Sequence, residues 1–282
     1  MAKKNIINFA TMKKKSEQVV WITAYDYLMG AYAEQAGMDM ILVGDSLGMV
    51  ALGYQGTNPV TMEDCISRCK AVKRGAPNTW IVGDMPFLSY QISDEDAVAN
   101  AGRFIKEAEM DCIKLEGGVR VETRIRAITN AGIPVMGHIG LTPQSSGQLG
   151  GFRSQGRDAA SARFIIEDAL AVERAGAFSI LLEAIPQEVT TFIQKRLSIP
   201  VYSIGAGLCD GQLMICADLL GMFQAFTPKF VKKYAAIGDD IINAFKEYVE
   251  DVRSCQFPTM DYTYLISDPV EKFEEMFKDY EK

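Results

Sequence analysis

Eight short apolar runs alternate with helix-like stretches along most of this 282-residue chain, and that alternation limits the possible folds more than any other feature. The runs occupy positions 19–23, 40–43, 80–82, 112–115, 133–136, 178–182, 199–202 and 213–216. A strand covered on both faces reads as a continuous apolar run rather than an alternating one, as in parallel sheets flanked by helices. Eight such strands with helices between them predict an α/β fold of the (β/α)8 TIM-barrel class, whose strand C-terminal ends meet at one mouth. The barrel is expected to span 1–258 as a single domain, with 259–282 a C-terminal helical extension packed on or near it.

The stretches between the runs carry helix signals at 27–36, 62–74, 95–109, 121–130, 159–175 and 187–196. Thr61 and Ser93, each followed by acidic residues, read as N-caps. Gly37, Gly75, Gly132 and Gly176 read as residues just past helix ends. A closing helix is expected over 230–252, and 269–280 reads as an amphipathic tail with Val270, Phe273, Met276, Phe277 and Tyr280 on one face. Two glycine-rich loops, 48–60 and 140–156, are longer than the rest and fall on the mouth side, where active-site lids are found.

A net charge of −7 argues against nucleic acid or an anionic membrane as a partner, since both require dense Lys and Arg. The basic residues Lys3, Lys4, Lys13, Lys14 and Lys15 read as a solvated N-terminal segment. No run of about 18 apolar residues and no signal-peptide core is present, so the expected location is cytoplasmic. The six cysteines form no CxxC pair and read as buried free thiols.

Five of the eight runs lead into a polar residue at or just beyond the strand end: Asp45, Asp84, Glu116, His138 and Glu183. Four carboxylates therefore converge on one pocket. Lys114 and Glu116 are two apart on one strand and so point to the same side. Asp45 and Asp84 follow matching Val-Gly pairs, Val43-Gly44 and Val82-Gly83, and glycines there leave room for something to approach the backbone. Clustered carboxylates raise one another's pKa, and a hard divalent cation relieves the conflict. Oxygen ligands and a single histidine favour magnesium over zinc; pairing with arginines is the alternative for Asp45 and Asp84. A 2-oxo acid chelates such an ion through its carboxylate and keto oxygens, and the polarised keto group makes the neighbouring C–H acidic. Lys114 can neutralise the substrate carboxylate. Glu183 is available as the base, and His138 can serve as that base, hold a loop or bind a substrate oxygen. Asp26 and Asp218, beside the first and last strands, read as capping or pairing residues.

These strand ends sit in longer strings: Leu42-Val43-Gly44-Asp45-Ser46-Leu47-Gly48-Met49, Asp84-Met85-Pro86-Phe87, Lys114-Leu115-Glu116-Gly117-Gly118 and Gly137-His138-Ile139-Gly140-Leu141-Thr142-Pro143-Gln144-Ser145. Together they resemble the ketopantoate (3-methyl-2-oxobutanoate) hydroxymethyltransferase family over roughly residues 5–258. The resemblance implies magnesium-dependent transfer of a one-carbon unit from 5,10-methylenetetrahydrofolate to 3-methyl-2-oxobutanoate, giving 2-dehydropantoate in pantothenate synthesis. It also implies that Asp45, Asp84 and Glu116 associate with the metal, that Ser46 and Lys114 join Asp45 and Asp84 in contacting substrate, that Glu183 accepts the proton, and that the barrel assembles as a homo-oligomer, a decamer. Ser46 enters on the resemblance alone. The chain departs from the family pattern at Tyr54, Arg68, Ser154 and Ser203, and its tail lies outside that pattern; serine for the family's usual glycine at 203, beside the mouth, is expected to narrow the space that folate or substrate uses. A related metal-dependent 2-oxo acid C–C lyase or phosphonate enzyme on a similar barrel is the competing reading, for which the 140–156 loop offers only Arg153 as a charged group.

Overall fold

A computed structural model describes residues 3–281. Eight strands, β1 (Val19–Thr23), β2 (Met40–Val43), β3 (Trp80–Asp84), β4 (Cys112–Glu116), β5 (Val135–Gly140), β6 (Ser179–Glu183), β7 (Val201–Ile204) and β8 (Gly211–Met214), close in sequence order into a barrel. Every neighbouring pair is parallel. This is the expected (β/α)8 architecture. Three strands are shifted relative to the apolar runs. β5 and β7 begin after Pro134 and Pro200, which have no N–H to give to a ladder, and β8 begins at Gly211, earlier than its run.

The period of two sorts the strand residues into two cores. Ile41, Val43, Ile81, Ile113, Leu115, Ile180 and Leu182 pack outward with the helices. Met40, Leu42, Trp80, Val82, Cys112, Met136 and Leu181 fill the interior. Continuing the inward parity carries Asp84 on β3, Lys114 and Glu116 on β4, His138 on β5 and Glu183 on β6 into the barrel axis at the C-terminal ends. The fold thus selects those five side chains by register alone.

The six expected helices form at Tyr27–Gln35, Met62–Gly75, Asp94–Ala108, Glu122–Asn130, Ala159–Arg174 and Gln187–Arg196. Thr61 and Ser93 accept from Asp64 N and Asp96 N as caps, and Asp26 caps the first of the six through Met29 N. Gly37, Gly132 and Gly176 have the positive φ of a helix stop. Gly75 does not; it is the last helical residue, and a Cβ there would lie 2.2 Å from the Tyr27 carbonyl oxygen, so it lets the Met62–Gly75 helix pass close to Tyr27–Gln35.

The N-terminal lysines are not simply solvated. Ile6–Lys14 is a helix with an Asn5 capping box, and it places Phe9, fully buried, edge-on to Trp80 at 5.7 Å. Lys3, Lys4 and Lys13 pair with Asp111, Asp39 and Asp210 at 2.7, 2.8 and 2.7 Å. Each of those aspartates also accepts from a strand N–H, of Ile81, Val20 and Val201 respectively. Three lysines and three aspartates therefore tie the N-terminal segment to the strand starts. These pairings join residues far apart in sequence, which is why composition alone suggested solvent.

The described residues divide into two compact units, one ending at Ala235 and one beginning at Ala236. The helix expected over 230–252 runs Ile237–Arg253, because Tyr234 N donates to Leu219 O instead of starting a helical turn, and Phe230 packs into the barrel interior cluster. This helix lies in the second unit, so the boundary drawn at 258 falls inside that unit. The tail helix forms at Val270–Phe277.

Phe9→Ala should lower unfolding free energy by about 3–5 kcal/mol, the range for emptying a buried aromatic site. Urea titration of the two proteins measures it, and a loss under about 1 kcal/mol would mean that the helix does not close the barrel floor.

Candidate active site

Ladder register fixes the neighbours at the mouth. Asp84 sits opposite Lys114, Glu116 opposite His138, and Gly140 opposite Glu183. The Lys114 ammonium lies 2.7 Å from Asp84 Oδ1, with both side chains almost wholly buried. Asp84 Oδ2 accepts from the Asp45 backbone N–H at 2.8 Å, which seats the turn after β2 against the end of β3. Burial pushes the Asp84 carboxyl up to about 7, with the Lys114 ammonium opposing and Asp45 adding to the rise. For Lys114, burial works against the charge, but Asp84, Asp45 and Glu116 outweigh it and hold the amine protonated. Lys114 is therefore a cation set among several carboxylates.

His138 completes the row. Its Nε2 stands 3.0 Å from Glu183 Oε2, without the alignment of a hydrogen bond, and its Nδ1 stands 3.5 Å from Glu116 Oε1. Burial and Lys114 push the imidazole pKa down, yet the two glutamates outweigh them and hold it up at about 9. Burial raises Glu116, and His138 opposes that rise. Ser46, assigned from resemblance, lies at the start of the short helix Leu47–Val50, its Oγ 2.8 Å from Tyr25 Oη.

Gln144 is the residue that sequence reasoning missed. It is buried in the turn after β5, where its Nε2 donates to Asp45 Oδ2 at 2.9 Å and to Met85 O at 3.0 Å, and its backbone N–H donates to Glu116 Oε2 at 3.0 Å. Tyr90 Oη donates to Gln144 Oε1 at 2.6 Å and accepts from Glu116 N at 3.1 Å. One residue thus ties two of the carboxylates to the long loop, through its side-chain amide and its backbone N–H. The signal was available in the Thr142-Pro143-Gln144-Ser145 string, but nothing in its spacing shows which groups an uncharged side chain will meet.

Two further readings change. Gly83 does not open space for a ligand: a Cβ there would meet Phe104 Cδ1 at 2.5 Å, so the glycine admits the Asp94–Ala108 helix. Ser203 does not narrow the mouth, because its Oγ accepts from Ala206 N at 3.0 Å within its own turn. Arg120 and Arg124 line a cavity of about 490 Å³ that includes Glu116 and Gln144 in its wall.

As to a metal, Asp45, Asp84 and Glu116 offer hard oxygen donors of the kind magnesium takes, together with waters and substrate oxygens. Among the described residues no group of three His, Cys, Asp or Glu side chains is arranged to hold a metal ion by itself. Asp45 and Asp84, linked through the Asp45 N–H, are the adjacent pair, and Glu116 is held by Gln144 N beside them. The donor chemistry suits a cation that the protein holds by a few carboxylates.

Removing the Gln144 side-chain amide would leave the buried Asp45 Oδ2 and the Met85 carbonyl without that donor, while the backbone N–H would still serve Glu116, a cost of about 1–3 kcal/mol. Gln144→Ala should lose that much in thermal unfolding, and Gln144→Glu more, since another carboxylate would then face Asp45 Oδ2. Equal stability of Gln144→Glu and wild type near neutral pH would contradict the donor role.

Against known proteins, the family model described as ketopantoate hydroxymethyltransferase matches residues 3–260. The 3-methyl-2-oxobutanoate hydroxymethyltransferase of Alkaliphilus metalliredigens is 68% identical over 278 residues, covering 99% of each chain. That of Syntrophus aciditrophicus is 51% identical, covering 90% of this chain and 94% of the relative. Solved structures of similar fold include a phosphonopyruvate hydrolase complex with oxalate and Mg++ (TM-score 0.61, 11% identity, 99% of this chain and 98% of that one). A 2,3-dimethylmalate lyase is similar too (TM-score 0.59, 16% identity, 98% and 97%). At such identities the solved structures speak for the barrel alone. The family model spans nearly the whole chain and the sequence relatives exceed half identity, so the chain belongs to the ketopantoate hydroxymethyltransferase family.

Proposed function

We propose that this chain transfers a hydroxymethyl unit from 5,10-methylenetetrahydrofolate to 3-methyl-2-oxobutanoate, producing 2-dehydropantoate and tetrahydrofolate. The observation that carries the reading is the ring of strand-end groups, Asp84, Lys114, Glu116, His138 and Glu183, brought together by register beside Asp45. Magnesium, held by Asp45 and Asp84 with Glu116 behind them, would polarise the keto oxygen and so acidify the neighbouring C–H.

The protein's own part begins with placement. Lys114 supplies the positive charge that a substrate carboxylate requires in a pocket of carboxylates, and Ser46 offers a hydroxyl beside it. Glu183 takes the proton from C3. His138, flanked by Glu183 at 3.0 Å and Glu116 at 3.5 Å, is better placed to orient and charge-balance those glutamates than to act as a base itself. The electron pair left on C3 then forms the new carbon–carbon bond to the one-carbon unit. Water supplies the hydroxyl oxygen, and both folate nitrogens release the one-carbon unit, N5 and N10 each gaining a proton, one from C3 and one from that water. A homo-oligomer, a decamer by family resemblance, and a cytoplasmic location belong to the same reading. No helix among the described residues is long and apolar enough to cross a membrane.

Incubation of purified protein with 3-methyl-2-oxobutanoate in deuterated buffer, without folate, tests the first step. The C3 proton should exchange with magnesium and not after chelation. Glu183→Gln keeps the shape but accepts no proton, so its exchange rate should fall roughly 10²- to 10⁴-fold with substrate binding nearly kept. Near-normal exchange in Glu183→Gln together with its loss in His138→Asn would assign the base to His138.

A further inference from the structure

The cavity of about 490 Å³ shares Glu116 and Gln144 with the reaction centre, so a molecule seated in it lies directly against the carboxylates. Its size is within the range of small-molecule sites. Asn58, Gln91 and Gln148 line it with amides, and Phe87 adds an aromatic face. Such walls suit a flat, nitrogen-rich ring that both donates and accepts hydrogen bonds.

Two cations line the same cavity, and they differ in what already holds them. Arg124 is ion-paired to Asp94 and donates to the Ile92 carbonyl at 3.4 Å. Arg120 makes no ion pair among the described residues. It donates to Ser145 Oγ at 2.7 Å and to Gln148 Oε1 at 3.3 Å, neutral acceptors on the 140–156 loop. Asp168, the carboxylate whose charge Arg120 influences, accepts from the Val119 N–H instead. In a chain of net charge −7, an exposed guanidinium positioned by neutral groups on a cavity wall is an anion-binding arrangement.

We propose that this cavity seats the reduced-folate co-substrate, with its ring toward Glu116 and Gln144 and the glutamyl carboxylates of its tail on Arg120. The proposal rests on the functional reading above. It assigns Arg120 as the residue that distinguishes donors carrying a carboxylate tail from those lacking one.

The test compares 5,10-methylenetetrahydrofolate with 5,10-methylenetetrahydropteroate, which lacks the glutamate, in wild type, Arg120→Ala and Arg120→Lys. Calorimetric titration with tetrahydrofolate and tetrahydropteroate adds binding without turnover. In Arg120→Ala, the half-saturating concentration and the Kd for the glutamate-bearing compounds should rise about tenfold, with those for the pteroates unchanged. Arg120→Lys should recover part of the loss, and added salt should weaken the wild-type preference. An equal effect of Arg120→Ala on both donors, or none on either, overturns the proposal. Magnesium-dependent C3 exchange, measured without folate, reports on the other substrate: its absence from wild type would overturn the reaction itself, while the tetrahydrofolate titration would still decide the Arg120 contact.

Discussion

The buried contact between Lys114 and Asp84, 2.7 Å across the β3–β4 ladder, is the interaction around which the mouth is arranged. Taking carboxylates out of water is expensive unless a counter-charge goes with them. Here Asp45, Asp84 and Glu116 are all buried, and Lys114 is the buried lysine among them. Its position follows from the alternation along Cys112–Glu116: Cys112 is packed in the interior, so Lys114 and Glu116 must face inward too. Once the lysine is there, Asp84 can be ionised beside it, and the Asp84 carboxylate in turn holds the Asp45 N–H. The order of dependence runs from strand register to ion pair to loop.

The same period explains how much of this was legible beforehand. Apolar runs gave away the barrel because a strand covered on both faces has no polar positions except at its ends. For the same reason, the polar residue at an end stood out as a candidate. Inward parity then turns position into geometry without further information for Asp84, Lys114, Glu116, His138 and Glu183. What could not be read off depends on partners far away in sequence. Lys13 finds Asp210, and Lys3 finds Asp111, only because the first helix folds under the barrel. Gly83 reads equally well as room for a ligand or for a helix, and only the position of Phe104 decides it. Gln144 carries no charge and sits on no periodic element, so its three donations, to Asp45, Met85 and Glu116, had no local signature.

The lysine–aspartate ties and the candidate site groups occupy opposite ends of the barrel, as stability and chemistry do in this architecture generally. At the strand starts, Asp39, Asp111 and Asp210 each satisfy a backbone N–H and a lysine. At the strand ends, Asp84 Oδ1, Glu116 Oε1 and His138 Nε2 are buried with no aligned hydrogen bond, although each has an oppositely charged or ionisable neighbour within 3.5 Å. Aspartates at one end are used up by the fold. Carboxylates at the other end retain bonding capacity, which is what a site that must bind a substrate needs.

That contrast gives the 140–156 loop its significance. Within five residues it supplies the Gln144 amide to Asp45, the Gln144 N–H to Glu116, and the Ser145 and Gln148 oxygens to Arg120. The loop therefore touches both the carboxylate cluster and the wall of the adjoining cavity. Tyr90, bonded to Gln144 on one side and to the Glu116 backbone on the other, anchors that short segment to β4. The carboxylate cluster and the cavity wall thus share this one turn of chain as well as Glu116 at the end of β4.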